Sequence, residues 1–194
     1  VGEVIRRFHD LSGTDAAPRI GEGGWLYSLK KMSELIRSRP DLEPRIGLPT
    51  GYLHGEVERV VTTLRSHMPP CTVVLCHGDL KPSNVMVYPE APPKLIDFEL
   101  SGVGWRGFDL YKMFRTGQGS REANMVDFCT SYLNGSGGAE ANLLVEEAKL
   151  FEPVTWLEAA VFFLFAIGEG REGLEGAENE QWEAEMEALA RDRV

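Results

Sequence analysis

The hydrophobic pattern along the chain predicts helices over 1–11, 24–38, 54–67, 107–115, 120–133, 140–168 and 178–192. Between the third and fourth of these the rhythm changes. Thr72-Val73-Val74-Leu75-Cys76 is a short β-branched run, the composition that packs best on a pleated surface. Val85-Met86-Val87-Tyr88 and Lys94-Leu95-Ile96-Asp97 then flank Pro89-Glu90-Ala91-Pro92-Pro93, which reads as a hairpin closed by a proline-rich turn. Gly21-Glu22-Gly23-Gly24 and Asn134-Gly135-Ser136-Gly137-Gly138 are the clearest breaks, and Pro40, Pro44 and Pro49 mark a loop after the second helix. There is no internal repeat and no stretch long enough to be a linker. The expected fold class is α+β, mostly helical with a small catalytic β-hairpin, and residues 1–194 are expected to form a single domain.

The most apolar run, Trp156 to Ile167, is 12 residues long and carries Glu158. That is short of the roughly 20 residues needed to span a bilayer, so it reads as a core helix and no membrane span is expected. At 194 residues and 43% hydrophobic the chain can bury a sizeable core. The net charge of −10 argues against nucleic acid, whose phosphates call for basic surface. Much of that charge lies from Glu169 onward, where eight Glu and one Asp face three Arg. Glu183, Glu185 and Glu187 read as the solvated face of a last helix, or as part of a field that draws in a cation. Cys71, Cys76 and Cys129 have no metal-site spacing and read as buried free thiols of a reducing, cytoplasmic setting.

The chemistry is concentrated in two short segments. His77-Gly78-Asp79-Leu80-Lys81-Pro82-Ser83-Asn84 forms a candidate catalytic loop (77–84), and Leu95-Ile96-Asp97-Phe98-Glu99 a candidate metal-binding segment (95–99). A phosphotransferase needs one carboxylate to orient the attacking hydroxyl and oxygen ligands that hold Mg²⁺ on the nucleotide phosphates. Asp79 and Asn84, five residues apart on one tight loop, can face one site, and Asp97 reaches it if the strands pair. Asp79 is the candidate base, and Asn84 and Asp97 are the candidate ligands for Mg²⁺ and so for ATP. Lys81 is placed to touch the transferred phosphate. His77 is read as scaffold that bonds the backbone near Asp97.

The loop matches the H-x-D-L-x-x-x-N pattern of protein kinases, but Glu99 stands where their D-F-G triplet has glycine. Asp97-Phe98-Glu99 followed by Arg106-Gly107-Phe108-Asp109 resembles the choline/ethanolamine kinase family of the protein-kinase-like and aminoglycoside phosphotransferase superfamily. Val4-Ile5-Arg6-Arg7-Phe8-His9-Asp10-Leu11, Trp25-Leu26-Tyr27 and Asp127-Phe128-Cys129-Thr130-Ser131-Tyr132-Leu133 are similar to helices of the same family's C-terminal lobe. The resemblance implies an ATP- and Mg²⁺-dependent kinase acting on the hydroxyl of choline or ethanolamine, feeding phospholipid head-group synthesis. It implies a protein-kinase-like C-terminal lobe, with an N-terminal lobe carrying the nucleotide clamp expected before Val1. This chain alone is then expected to bind nucleotide poorly. Asp109 matches the aspartate that holds the catalytic loop's amides, and Glu99 the acidic residue near the substrate. An ungapped comparison sets Phe162 and Phe165 where the family has two tryptophans, and Trp182 where it has a tyrosine. Such rings would recognise a quaternary ammonium through their faces, whereas a plain core stripe is the other reading of the two phenylalanines. Lys81 departs from the family's pattern, as does Leu110-Tyr111-Lys112-Met113-Phe114 after Asp109. The partners implied are a small amino alcohol and ATP, with a homodimer left open.

Three rivals stand beside this reading. Aminoglycoside-type and other small-alcohol kinases share Asp79, Asn84 and Asp97. A non-catalytic lobe remnant is the second. The third is a dinucleotide-binding oxidoreductase, because Gly102-Val103-Gly104-Trp105-Arg106-Gly107 spells G-x-G-x-x-G. That fingerprint needs a βαβ unit with an acidic residue about 20 positions on, and Asp127 falls in a predicted helix.

Overall fold

The computed structural model describes residues 1–13, 24–66, 71–115, 121–170, 173 and 175–193. The break expected at 21–23 lies outside them. In chain order the elements are α1 (Gly2–His9), α2 (Gly24–Arg37), α3 (Tyr52–Ser66), β1 (Val73–Cys76), β2 (Val85–Tyr88), β3 (Ala91–Leu95), β4 (Gly102–Trp105), α4 (Arg106–Lys112), α5 (Arg121–Tyr132), α6 (Ala139–Lys149), α7 (Glu152–Glu169) and α8 (Gly176–Arg191). They divide into two compact units, Val1–Leu26 with Pro69–Thr155, and Tyr27–Met68 with Trp156–Val194.

In the first unit β1 pairs antiparallel with β4, Val73 opposite Trp105 and Cys76 opposite Gly102. β2 pairs antiparallel with β3, Val85 opposite Leu95. Helix α4 packs on β1 and α6, and α1 packs on α5 and β1. The face of α1 explains its place: Ile5 and His9, one turn apart, are buried, while Arg7 and Arg6 turn outward to bond Glu3 and Asp10, each at 2.5 Å. Trp25 lies flat on Phe108, ring centroids 3.7 Å apart, with its indole nitrogen over Gly104. A Cβ at 104 would sit 2.9 Å from that nitrogen, which is why glycine occupies this strand position.

The second unit is built on α3, whose Leu53, Val57, Val61 and Leu64 form a buried stripe at helical spacing. Buried Glu43 accepts hydrogen bonds from the Gly51 and Leu53 amides, satisfying donors that the start of a helix leaves open. In the second unit's part of α7 the buried apolar positions are Ala159, Ala160, Val161, Leu164 and Ile167.

Several expectations are corrected. The hairpin turn is shorter: Ala91, Pro92 and Pro93 belong to β3, which ends at Leu95 and not at Asp97. A two-stranded sheet leaves each strand an unpaired edge, so prolines without an N–H are tolerated there. The helix expected over 140–168 is two helices, interrupted at Leu150–Phe151, with Pro153 in the first turn of α7 where its missing N–H costs nothing. By length and composition alone 139–169 could cross a membrane, but half of its most apolar window is buried inside the protein. The acids of α8 are not all solvated, because Glu183 and Glu187, one turn apart, hold Arg45 at 2.6 and 2.5 Å. Cys71 is half-buried, unlike Cys76 and Cys129. The glycines of G-x-G-x-x-G are not a phosphate-cradling turn: Gly102 and Gly104 are ladder residues of β4, antiparallel to β1. The dinucleotide reading therefore loses the parallel unit it requires.

Candidate active site

β1 delivers the chain to His77, and α4 receives it. The Asp109 carboxylate of α4 accepts from the His77 amide at 2.6 Å and the Gly78 amide at 2.9 Å, fixing two successive peptides. Asp109 is itself fully buried, and His9 of α1 donates to it through Nε2 at 3.1 Å, since a carboxylate only accepts. His9 Nδ1 in turn meets the Tyr132 hydroxyl at 2.9 Å. The chain thus turns at Gly78 (φ +83°), where the Leu100 carbonyl comes so near that a Cβ would lie 2.0 Å from it.

That approach joins the two chemical segments. His77 donates through Nε2 to the Ile96 carbonyl at 2.8 Å and accepts the Asp79 amide on Nδ1 at 3.3 Å, which specifies one tautomer. The Ile96 amide donates to the Asn84 carbonyl at 3.1 Å, and Ser101 Oγ to the His77 carbonyl at 3.1 Å. Phe98 lies against His77 and Phe8, with centroids 5.0 and 5.4 Å away. Asp97, between these anchored neighbours, is exposed and has φ +68°, an uncommon backbone for a residue with a side chain.

Three side chains converge on Asp79. Asn84 Nδ2 donates to its carbonyl at 2.9 Å and to its Oδ2 at 3.2 Å. Lys81 Nζ bonds Oδ2 at 2.6 Å, and Lys112 Nζ stands 3.0 Å from Oδ1. Burial works to raise the Asp79 pKa. The Lys112 charge and the hydrogen bonds from Lys81 and Lys112 outweigh it, leaving the carboxyl below its ordinary range. The carboxylate is therefore ionised at neutral pH and can accept a proton-bearing hydroxyl.

An ionised, anchored aspartate with a neighbouring amide and a strained second carboxylate is what group transfer to an alcohol asks for, and the wider comparison agrees. Residues 1–143 match the model of the phosphotransferase enzyme family. The chain belongs to that family. Among solved structures, this phosphotransferase is similar to an ethanolamine kinase of Plasmodium vivax, at TM-score 0.72 and 17% identity, covering 100% of this chain and 59% of that one. A choline kinase of Cryptosporidium parvum matches at TM-score 0.63 and 10% identity, covering 99% and 62%. A choline/ethanolamine kinase family protein of Mesorhizobium loti matches at 0.58 and 20%, covering 97% and 61%. The fold is thus the kinase-like one, mostly helical with small antiparallel sheets, and the chain spans about three fifths of each solved kinase. An uncharacterised protein of Deinococcus radiodurans is 32% identical over 98 residues, 48% of this chain and 27% of its own length.

The structure of the phosphotransferase brings together His77, Asp79, Lys81, Asn84 and Asp109, with the Asp97 backbone beside them. Glu99 is exposed, two residues beyond Asp97. Phe162, Phe165 and Trp182 belong to the second unit. Phe162 is exposed and Phe165 half-buried, so neither is part of a core stripe; Phe165 instead lines a shallow groove of about 160 Å³ with Leu35, Ile36, Arg39 and Leu42. Trp182 is half-buried on α8.

The donor set fits a nucleotide-borne Mg²⁺. With Nδ2 of Asn84 turned onto Asp79, its amide oxygen would be the atom to serve a cation, and Asp97 would add a carboxylate; both are hard oxygen donors. No group of three or more His, Cys, Asp or Glu side chains that could hold a metal occurs among the described residues. Two protein oxygens suit an ion that keeps waters and is otherwise held by phosphate.

Sequence reasoning missed Lys112 as a partner of Asp79, and His9 and Tyr132 behind Asp109. Helical spacing held a signal for the first two: Lys112 lies three residues after Asp109, and His9 four after Ile5, each pair on one face.

Proposed function

We propose that this phosphotransferase transfers the γ-phosphoryl group of ATP to the hydroxyl of choline or ethanolamine, in the cytoplasm. The observation that carries the reading is the ionised Asp79 carboxylate, 3.2 Å from the Asn84 amide, on a loop whose Asn84 carbonyl and His77 ring hydrogen-bond Ile96, the neighbour of Asp97. In this reading Asp79 orients the alcohol and accepts its proton as the new O–P bond forms. Asn84 and Asp97 would hold Mg²⁺, which neutralises phosphate charge when bound. Half-exposed Lys81 is the cation within reach of the transferred group. The likeness to ethanolamine and choline kinases supports the substrate class, together with Glu99, a charge suited to an ammonium head group. Three free cysteines support the compartment.

The test is a substrate panel on the full-length protein, following ADP release with choline, ethanolamine and an aminoglycoside, with and without Mg²⁺. Turnover of either amino alcohol that requires Mg²⁺ is expected. Turnover of the aminoglycoside alone would reassign the substrate, and no ADP release with any of the three would sink the reading.

A further inference from the structure

Helix α4 grips the catalytic loop twice. Asp109 takes the amide of Gly78, and Lys112, one turn further on, donates to the carbonyl of the same residue at 3.1 Å while reaching Asp79 Oδ1 at 3.0 Å. The Lys112 side chain is 1% exposed. A buried ammonium is costly unless it is paired and hydrogen-bonded. Lys112 has a carboxylate, a carbonyl and the face of Phe108, 5.3 Å from its Nζ. Phe108 is backed by the stacked Trp25, so the lysine stem is held within well-packed rings.

Lys81 is a different kind of partner. It lies on the loop itself, its side chain is 42% exposed, and it bonds the other carboxylate oxygen, Oδ2. The groups facing Asp79 are therefore Lys81 and Asn84 from the loop and Lys112 from α4, with His77 beneath its amide. Two lysines on one carboxylate would be redundant if both were simple counter-charges. Their burial separates them: one cannot leave and the other can.

We infer that Lys112 is the positioning residue of this site, pinning Oδ1 of Asp79 from α4 so that the base keeps its orientation when Lys81 moves to a phosphate. This rests on the kinase reading for its catalytic half. With its side chain 1% exposed, Lys112 would act on the chemistry through Asp79.

Lys112→Met in the full-length protein tests it. With the alcohol found in the panel, kcat should fall at least ~10-fold while KM for ATP and for the alcohol stay within ~3-fold, because a misaimed base costs the chemical step and not binding. In an Asp79→Asn background the same substitution should change kcat by less than ~2-fold, since residues that act as a unit are non-additive. Wild-type kcat in Lys112→Met, or losses that simply multiply in the double variant, would overturn the inference. If Lys112→Met does not fold, Lys112→Arg carries the same measurements, its larger planar head being unable to meet carbonyl and carboxylate in the ammonium's geometry. Should the wild type phosphorylate none of the alcohols, the kinase reading fails by itself. Amide hydrogen exchange then decides the positioning half: faster exchange at Gly78 and Asp79 in the variant supports the clamp, and unchanged exchange there removes it.

Discussion

At the scale of single residues, the grouping of the loop side chains was legible because it is local. Asp79 and Asn84 are five residues apart, and a loop that short can hardly separate them. Asp109 was legible too, through its place after Gly107-Phe108, and it does hold the loop amides. Lys112 was not, since a lysine inside a helix reads as solvated until its neighbours are known. Two substitutions follow. Asp79→Asn keeps the shape and removes the proton acceptor, so turnover in the full-length protein should drop at least ~10²-fold, as loss of a positioned base does. Asp97→Ala should do likewise and leave a protein that added Mg²⁺ only partly restores. Initial rates at several Mg²⁺ concentrations check both, and near-normal turnover in either would remove that residue from the chemistry. Glu99→Gln should raise KM for a charged amine several-fold with little change for ATP. Equal shifts in both would take Glu99 away from the substrate.

Elements were read less evenly. The helices were legible where one face is apolar, as in α1 and α3. The hairpin is legible in the sequence, but Pro92 and Pro93 read as turn, because their place on a free sheet edge depends on which strands pair. Gly104 of β4 was ambiguous for the same reason: what it accommodates, the Trp25 ring, comes from 79 residues earlier in the chain. Gly78 gives the sharpest prediction at this scale. A methyl group there meets the Leu100 carbonyl at 2.0 Å and is held at φ +83°, so either the turn or the 95–101 segment must shift. Strain of this kind costs about 1–3 kcal/mol before the clash is counted. Gly78→Ala should lower the urea midpoint accordingly and abolish turnover. An unchanged midpoint would mean that the two segments do not approach as described.

For the whole molecule, reaction class was legible and substrate was not. Transfer chemistry needs a few groups close in sequence, whereas the aromatic residues suggested for substrate recognition sit in a separate unit, where their surroundings are tertiary. The first unit also carries a stability signature that no motif announces. Among its buried groups are the weak acids Cys76, Cys129 and Tyr132. Burial pushes the Cys76 thiol well above its ordinary value, the Cys129 thiol up to about 11, and the Tyr132 hydroxyl up to about 12. In the unfolded chain thiols ionise near pH 9 and tyrosine near pH 10. Below those values both states keep their protons and nothing is lost. Above them the unfolded state binds fewer protons than the native one, so stability falls as pH rises, first from about 9 and further through 11 and 12. For Cys129 alone a shift of this size is worth roughly 2–3 kcal/mol by pH 11. The growing negative charge of a chain already at −10 acts in the same direction, so the comparison must isolate the thiol. Urea midpoints measured from pH 8 to 11 should decline in the wild type, and decline less steeply in Cys129→Ser even if that variant starts lower. Parallel slopes in the two proteins would mean that Cys129 ionises as readily folded as unfolded, and that it is not sealed between α5 and its neighbours.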